Sequence, residues 1–302
     1  MKHAALWQVT VVTSPEAEEA VAALLEKLFK QPPYVYVAEE TKAPAVSVYA
    51  SKPRDKSRPL FAALERALHD LAECGLDTGA QRISVRKVSR SEWSESWKKF
   101  FKPIEIGRAL LIKPSWSKRR PRKGQGVVVL DPGLSFGTGQ HPTTLFCLEQ
   151  MESARRQGSR QSFLDIGTGS GILAIAAAKL GYGPVKAFDI DPVAIRVARA
   201  NARRNRVGGL VSITRQDLSR LPNLPSRRYD LICANLISTV LLQESARILN
   251  RLRPGGRLLL AGILATEFSR VRRAYESAGL KLIATQVGGE WQSGAFEKPL
   301  LT

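Results

Sequence analysis

Two glycine-rich stretches stand close together in the chain, 131-DPGLSFGTGQHPTT-144 and 163-FLDIGTGSGILAIA-176. In the second, a strand pattern enters, glycines follow at Gly167, Gly169 and Gly171, and an alanine-rich helical pattern leaves. Glycine lets a backbone turn sharply and lets a ligand approach closely. Asp189 closes the next strand pattern, where a carboxylate can accept both ribose hydroxyls of a nucleoside. By itself this layout fits NAD, S-adenosylmethionine, or a tight turn beside a solvated aspartate.

Spacing separates the first two. A dinucleotide fingerprint of the form G-x-G-x-x-G needs a glycine at position 172, where this chain has Ile172, and no Walker lysine follows. Asp165 precedes the glycines. A carboxylate there would repel a pyrophosphate but can accept hydrogen bonds from an ammonium group, which adenosylmethionine has. Asn235, at the end of the fourth strand pattern in 232-ICANLI-237, offers a side-chain donor and acceptor where an incoming amine could be oriented, or else caps a turn. Asp217, read as ending the third strand, could meet the adenine amino group. In the first stretch, His141 is the one candidate base.

These residues need a scaffold that brings strand ends together. From residue 127 the sequence alternates βα units, with strands FLDIG, VKAFDI, VSITRQD, YDLICANL and RLLLAGI, and ends in two strands joined through Gly288 and Gly289. Short, near-continuous apolar strands imply a parallel sheet buried on both faces, with ligands beyond its carboxyl ends. The first hundred residues read β-α-β-β-α-β, the ferredoxin-like order, with Ser14 as the N-cap of the first helix, and hold no cluster of titratable groups at catalytic spacing. Between the two, 91-SEWSESWKKFF-101 carries Trp93, Trp97 and Phe100 on one helical stripe and reads as a connector. The expected organisation is a recognition domain over 1–90, a linker helix over 91–102 and a catalytic α/β domain over 103–302.

The 302 residues suffice for two domains, and 44% hydrophobic content is ordinary for a globular protein. No apolar run reaches membrane-spanning length, and the N-terminus turns acidic too early for a signal peptide. Cys74, Cys147 and Cys233 match neither a disulfide framework nor a zinc site, so no metal and a cytoplasmic location are expected. The net charge of +19 is uneven. Residues 1–102 hold 16 Lys/Arg against 13 Asp/Glu, and residues 103–302 hold 30 against 14. That excess favours non-specific attraction to ribosomal RNA, or else reflects an arginine-rich composition without function.

As a set, EWSESWKKFFKPIEIG, KPSW, DPGLSFGTGQHPTT, DIGTGSGILAIAAAKLG, DIDPVAIRVARANARRN and ANLI resemble PrmA, the bacterial methyltransferase family acting on the large-subunit stalk-base ribosomal protein. The match covers roughly residues 91–265, and the N-terminal third agrees only in its element order. The resemblance implies a class I methyltransferase (Rossmann-like) seven-stranded sheet preceded by a small ferredoxin-like domain. It also implies S-adenosylmethionine contacted by Thr144, Gly167, Asp189 and Asn235, and trimethylation of lysine ε-amines and an α-amine; separately, a monomer is expected. The chain departs from the family in its basicity and in reading GTGSG where GCGSG is common. On this reading Asp165, Gly169 and Asp217 complete the cofactor site, while Phe136, Gly137 and Thr138 fold over the methionine end and line the amine's entrance. Asn235 and neighbouring carbonyls orient the amine, and His141 fixes the loop rather than acting as base. Other readings are the same chemistry on another protein lysine or on RNA, and a non-catalytic ribosome-assembly factor.

Overall fold

The computed structural model describes residues 6–31, 33–37, 43–50, 58–88, 101–131, 141–156 and 158–300. The chain divides into two compact units at Phe101/Lys102. Residues 91–100, where the connector helix is expected, lie outside the described residues, and Phe101 and Lys102 are not helical.

The first unit runs β1 (Leu6–Val12), α1 (Glu18–Phe29), β2 (Tyr34–Val37), β3 (Pro44–Ala50), α2 (Arg58–Glu73) and β4 (Arg82–Val88). The strands form an antiparallel sheet in the order β2-β3-β1-β4, which is the ferredoxin-like arrangement. Period-2 patterning sends Val9, Val11, Val46 and Val48 into one core with Val21 and Leu25 of α1 and Leu64 and Leu68 of α2. On the alternate positions, Gln8, Thr10, Ser47 and Tyr36 hydrogen-bond to one another. The expected cap is displaced: α1 begins at Glu18 after Ala17, while the Ser14 hydroxyl accepts the Ala17 amide at 3.2 Å and donates to the Asp77 carbonyl.

The second unit opens with a small sheet of β5 (Ile104–Ile106), β6 (Leu110–Lys113) and β7 (Gly126–Val129). Between β6 and β7 runs the basic loop, exposed over residues 118–124 and pinned by Arg119 and Arg122 on Glu105 at 2.5 and 2.6 Å. Next come α3 (Pro142–Ser153), β8 (Phe163–Ile166), α4 (Ile172–Lys179), β9 (Val185–Asp189), α5 (Pro192–Arg204), β10 (Val211–Arg215) and β11 (Tyr229–Asn235). The unit finishes with α6 (Ser238–Gln243), α7 (Ser245–Asn250), β12 (Leu252–Leu264), α8 (Ala265–Ser277), β13 (Lys281–Gly288) and β14 (Trp291–Glu297).

Its seven strands lie in the order β10-β9-β8-β11-β12-β14-β13, parallel except that β14 runs antiparallel to both neighbours. This is the class I methyltransferase sheet. Alternate residues of β11 feed two cores, Leu231 and Cys233 into one and Ile232 and Ala234 into the other, so the sheet is buried on both faces. The carboxyl ends of β8, β9 and β11 therefore meet at one edge of the layered unit.

Candidate active site

The glycine loop is built by backbone conformations that only glycine adopts without strain. Gly167, Gly169 and Gly171 have φ of 74°, 52° and 82°. A Cβ on Gly171 would also lie 3.0 Å from that of Ala198 on α5, so the loop must stay bare for α4 to start where it does. The amides of Gly167 and Thr168 both donate to the Phe188 carbonyl at 3.0 Å, which ties the loop to β9.

Asp189 completes that tie. Its Oδ2 accepts the Gly169 amide at 2.9 Å and its Oδ1 accepts the Asp191 amide at 3.0 Å. Two residues on, Asp191 caps α5 by accepting the Val193 and Ala194 amides at 2.7 and 3.3 Å. The carboxylate expected to meet a ribose is thus fixed against the glycine loop.

Asp165 is buried at the end of β8. Its Oδ2 accepts the Thr168 hydroxyl at 2.7 Å, while its Oδ1 has no hydrogen-bond partner. Burial, opposed by the Thr168 bond, pushes its pKa up to about 7. The Thr144 hydroxyl, on the first turn of α3, is also buried without a partner. Such orphaned polar atoms cost stability and invite a ligand with complementary groups.

Asn235 ends β11 beside the N-terminus of α3. Its Nδ2 donates to the Thr143 hydroxyl at 3.5 Å, and that hydroxyl lies 2.7 Å from Nδ1 of His141. The His141 ring meets the Trp291 ring edge to face, with centroids 5.3 Å apart. Burial lowers its pKa to about 4, so it is neutral at physiological pH. Behind Asn235, Gly262 has φ of 76°, and a Cβ there would stand 2.9 Å from Asn235 Oδ1.

The structure thus brings Asp165, Gly167, Gly169, Asp189, Asn235, His141 and Thr144 to one end of the sheet. Asp217 differs from expectation, because β10 ends at Arg215. Asp217 caps the following turn, where its Oδ1 accepts the amide and hydroxyl of Ser219 at 2.9 and 2.7 Å. Those bonds hold its pKa below the usual carboxylate range. Phe136, Gly137 and Thr138 lie outside the described residues. Gly262 and Trp291 were not singled out as site residues from sequence, and Thr143 only as a hydroxyl beside Thr144 at a helix start where a carboxylate could be met. Of the first two, only Gly262 left a signal, a glycine inside a strand, which marks a bulge or a close approach.

A model of the family described as "Ribosomal protein L11 methyltransferase (PrmA)" matches residues 5–299. The chain belongs to the ribosomal protein L11 methyltransferase family. The family member from Pelotomaculum thermopropionicum is 37% identical over 300 residues, covering 94% of this chain and 96% of that protein. The relative from Brevibacillus brevis is 33% identical over 306 residues, with the same two coverages of 94% and 96%. Among solved structures, the ribosomal protein L11 methylase of Lactobacillus delbrueckii subsp. bulgaricus is 30% identical with a TM-score of 0.56, covering 66% of this chain and all of that one. Membership in this family excludes the dinucleotide reading of the glycine loop. Among the described residues no helix is long and apolar enough to cross a membrane.

Proposed function

We propose that this protein transfers methyl groups from S-adenosylmethionine to lysine ε-amines and an α-amine of ribosomal protein L11, to the trimethylated state. The residues present suit that donor. Asp165, with a buried oxygen lacking a partner, matches the ammonium of its methionine moiety, and the orphaned Thr144 hydroxyl matches the carboxylate. Asp189, held against the glycine loop, would take the ribose hydroxyls. The donor supplies an electrophilic methyl on a sulfonium, and the chain must supply position and a neutral amine.

A free lysine has a pKa of about 10.4 and is mostly protonated at pH 7. Burial lowers that pKa and exposes the lone pair. Asn235 orients the amine through its side-chain carbonyl, held in turn by Thr143. His141 is a positioning residue in this account. A ring whose pKa lies near 4 is too weak a base to take a proton from an alkylammonium.

The observation that carries the reading is the Asn235–Thr143–His141 chain beside the two orphaned polar atoms. Its test is turnover of His141→Ala with L11. Activity within about tenfold of wild type is expected, since one positioning contact contributes about 1 kcal/mol. Abolished turnover with donor binding intact would make His141 the base. Selection of L11 falls to residues 1–90, with 91–102 as linker and 103–302 as the catalytic domain, in a cytoplasmic monomer.

A further inference from the structure

The parallel strands of the second unit have a second end, away from the site. It is formed by the segments leading into β8, β10 and β11. Residues 155–162 carry three arginines, residues 203–210 three more and residues 221–228 two, and none of these segments contains Asp or Glu. Arg155, Arg160, Arg203, Arg206, Arg227 and Arg228 are exposed. Of the eight arginines, Arg204 pairs with Asp131 at 2.5 Å, and the others make no ion pair among the described residues.

Arg247 stands beside Glu244 and Arg272 beside Glu276, while at this end the carboxylates Asp230 and Glu297 pair with Arg253 and Arg257 and not with the eight arginines. Seven of these eight arginines thus stay unneutralised among the described residues, at a cost in self-repulsion.

Two hollows lie in this surface. One, of about 740 Å³, runs between the end of α5 and edge strand β10, walled by Arg199, Arg203 and Arg206. Arg199 is anchored by donating twice to the Ile213 carbonyl, at 3.1 and 2.7 Å, so it is a fixed wall. The other, of about 250 Å³, is lined by Arg155, Arg156 and Arg160 with Gly158 and Ser159. Neither is lined by a carboxylate. Guanidinium forks match phosphate oxygens, and the lining of the larger hollow holds no aromatic ring for base stacking.

We propose that the amino end of this sheet binds the phosphodiester backbone of structured RNA without reading sequence, which leaves the carboxyl end open for methyl transfer. The choice of RNA over DNA rests on the proposed substrate being a ribosomal protein, whereas the phosphate site itself does not. The test is anisotropy of a labelled RNA hairpin with the full-length protein across a salt series. Arg203→Glu/Arg206→Glu and Arg155→Glu/Arg160→Glu should each weaken binding about tenfold or more and flatten the slope of log affinity against log salt by roughly 1 to 2. Arg227→Gln/Arg228→Gln, neutral changes in an exposed loop, should weaken it in the same direction with an unchanged melting temperature. A control of equal charge change on α8, Arg270→Glu/Arg273→Glu, should weaken it less than about threefold.

Equal loss in the control, effective competition by polyglutamate, or no RNA binding by the unaltered protein would overturn the proposal. A DNA hairpin binding about tenfold tighter than RNA would overturn the choice of RNA. Methylation of free L11, assayed on the same proteins, is expected to be unchanged, so failure of the RNA face and failure of the methyltransferase reading are told apart.

Discussion

The Thr143 hydroxyl links Asn235 and His141, the two side chains to which the proposed function assigns amine positioning. Thr143→Val keeps the shape and removes the hydroxyl, and kcat is expected to fall roughly tenfold, the rate equivalent of one lost hydrogen bond. Donor affinity should stay within about threefold, and Thr143→Ser should restore turnover. Equal losses in kcat and donor affinity would instead mean that the loop had collapsed. The two shifted groups give opposite pH signatures. Unfolded His141 takes a proton near its ordinary 6.5 and the folded ring only near 4, so the unfolded chain binds more protons between these values. Its contribution to stability is lost as pH falls through that window, by about 3 kcal/mol in all, and His141→Gln should remove that part of the acid sensitivity in melting curves. Asp165 is raised from 3.8 to about 7, so its stabilising proton is present below 3.8 and lost as pH rises through 7. Without donor, Asp165→Asn should therefore raise the melting temperature at pH 8 and change it little at pH 5. Adenosylmethionine affinity should rise with pH up to about 7 in the wild type and not in Asp165→Asn, by calorimetry.

At the scale of elements, the site depends on where helices start and strands bend. Asp191→Ala removes the α5 cap and should cost about 1 kcal/mol in denaturant unfolding, with a smaller effect on turnover. Gly262→Ala forces a side chain onto Asn235 at a φ of 76°, and a cost of roughly 1 to 3 kcal/mol with a marked fall in kcat is expected. Much of this was legible in the residues. The strand-glycine-helix order placed α4 and β9, and the alternating βα pattern gave the sheet, because burial on both faces leaves continuous apolar runs. Less legible was anything fixed by partners distant in sequence. Thr143 matters through Asn235, Trp291 through His141, and Gly262 through a bulge where β12 pairs with β14. Asp217 and Ser14 show the converse, since local hydrogen bonds moved one past its strand and displaced the other from the cap expected of it.

As a whole molecule the chain holds separate cores, one confined to the first unit and two packed on the faces of the seven-stranded sheet. Residues 102–302 expressed alone should therefore fold and bind adenosylmethionine, yet lose methylation of L11 if residues 1–90 select it; retained activity would sink that assignment. With a net charge of +19 concentrated in the second unit, association with RNA is expected to fall steeply with salt while donor binding does not. The most direct measurement is incubation of the protein with labelled adenosylmethionine, purified L11 and ribosomal RNA, followed by mass spectrometry of the labelled product. Label is expected on lysine ε-amines and an α-amine of L11 in steps of whole methyl groups up to three, nearly lost in Asn235→Ala. Label confined to the RNA, or an Asn235→Ala protein as active as wild type, would contradict that expectation.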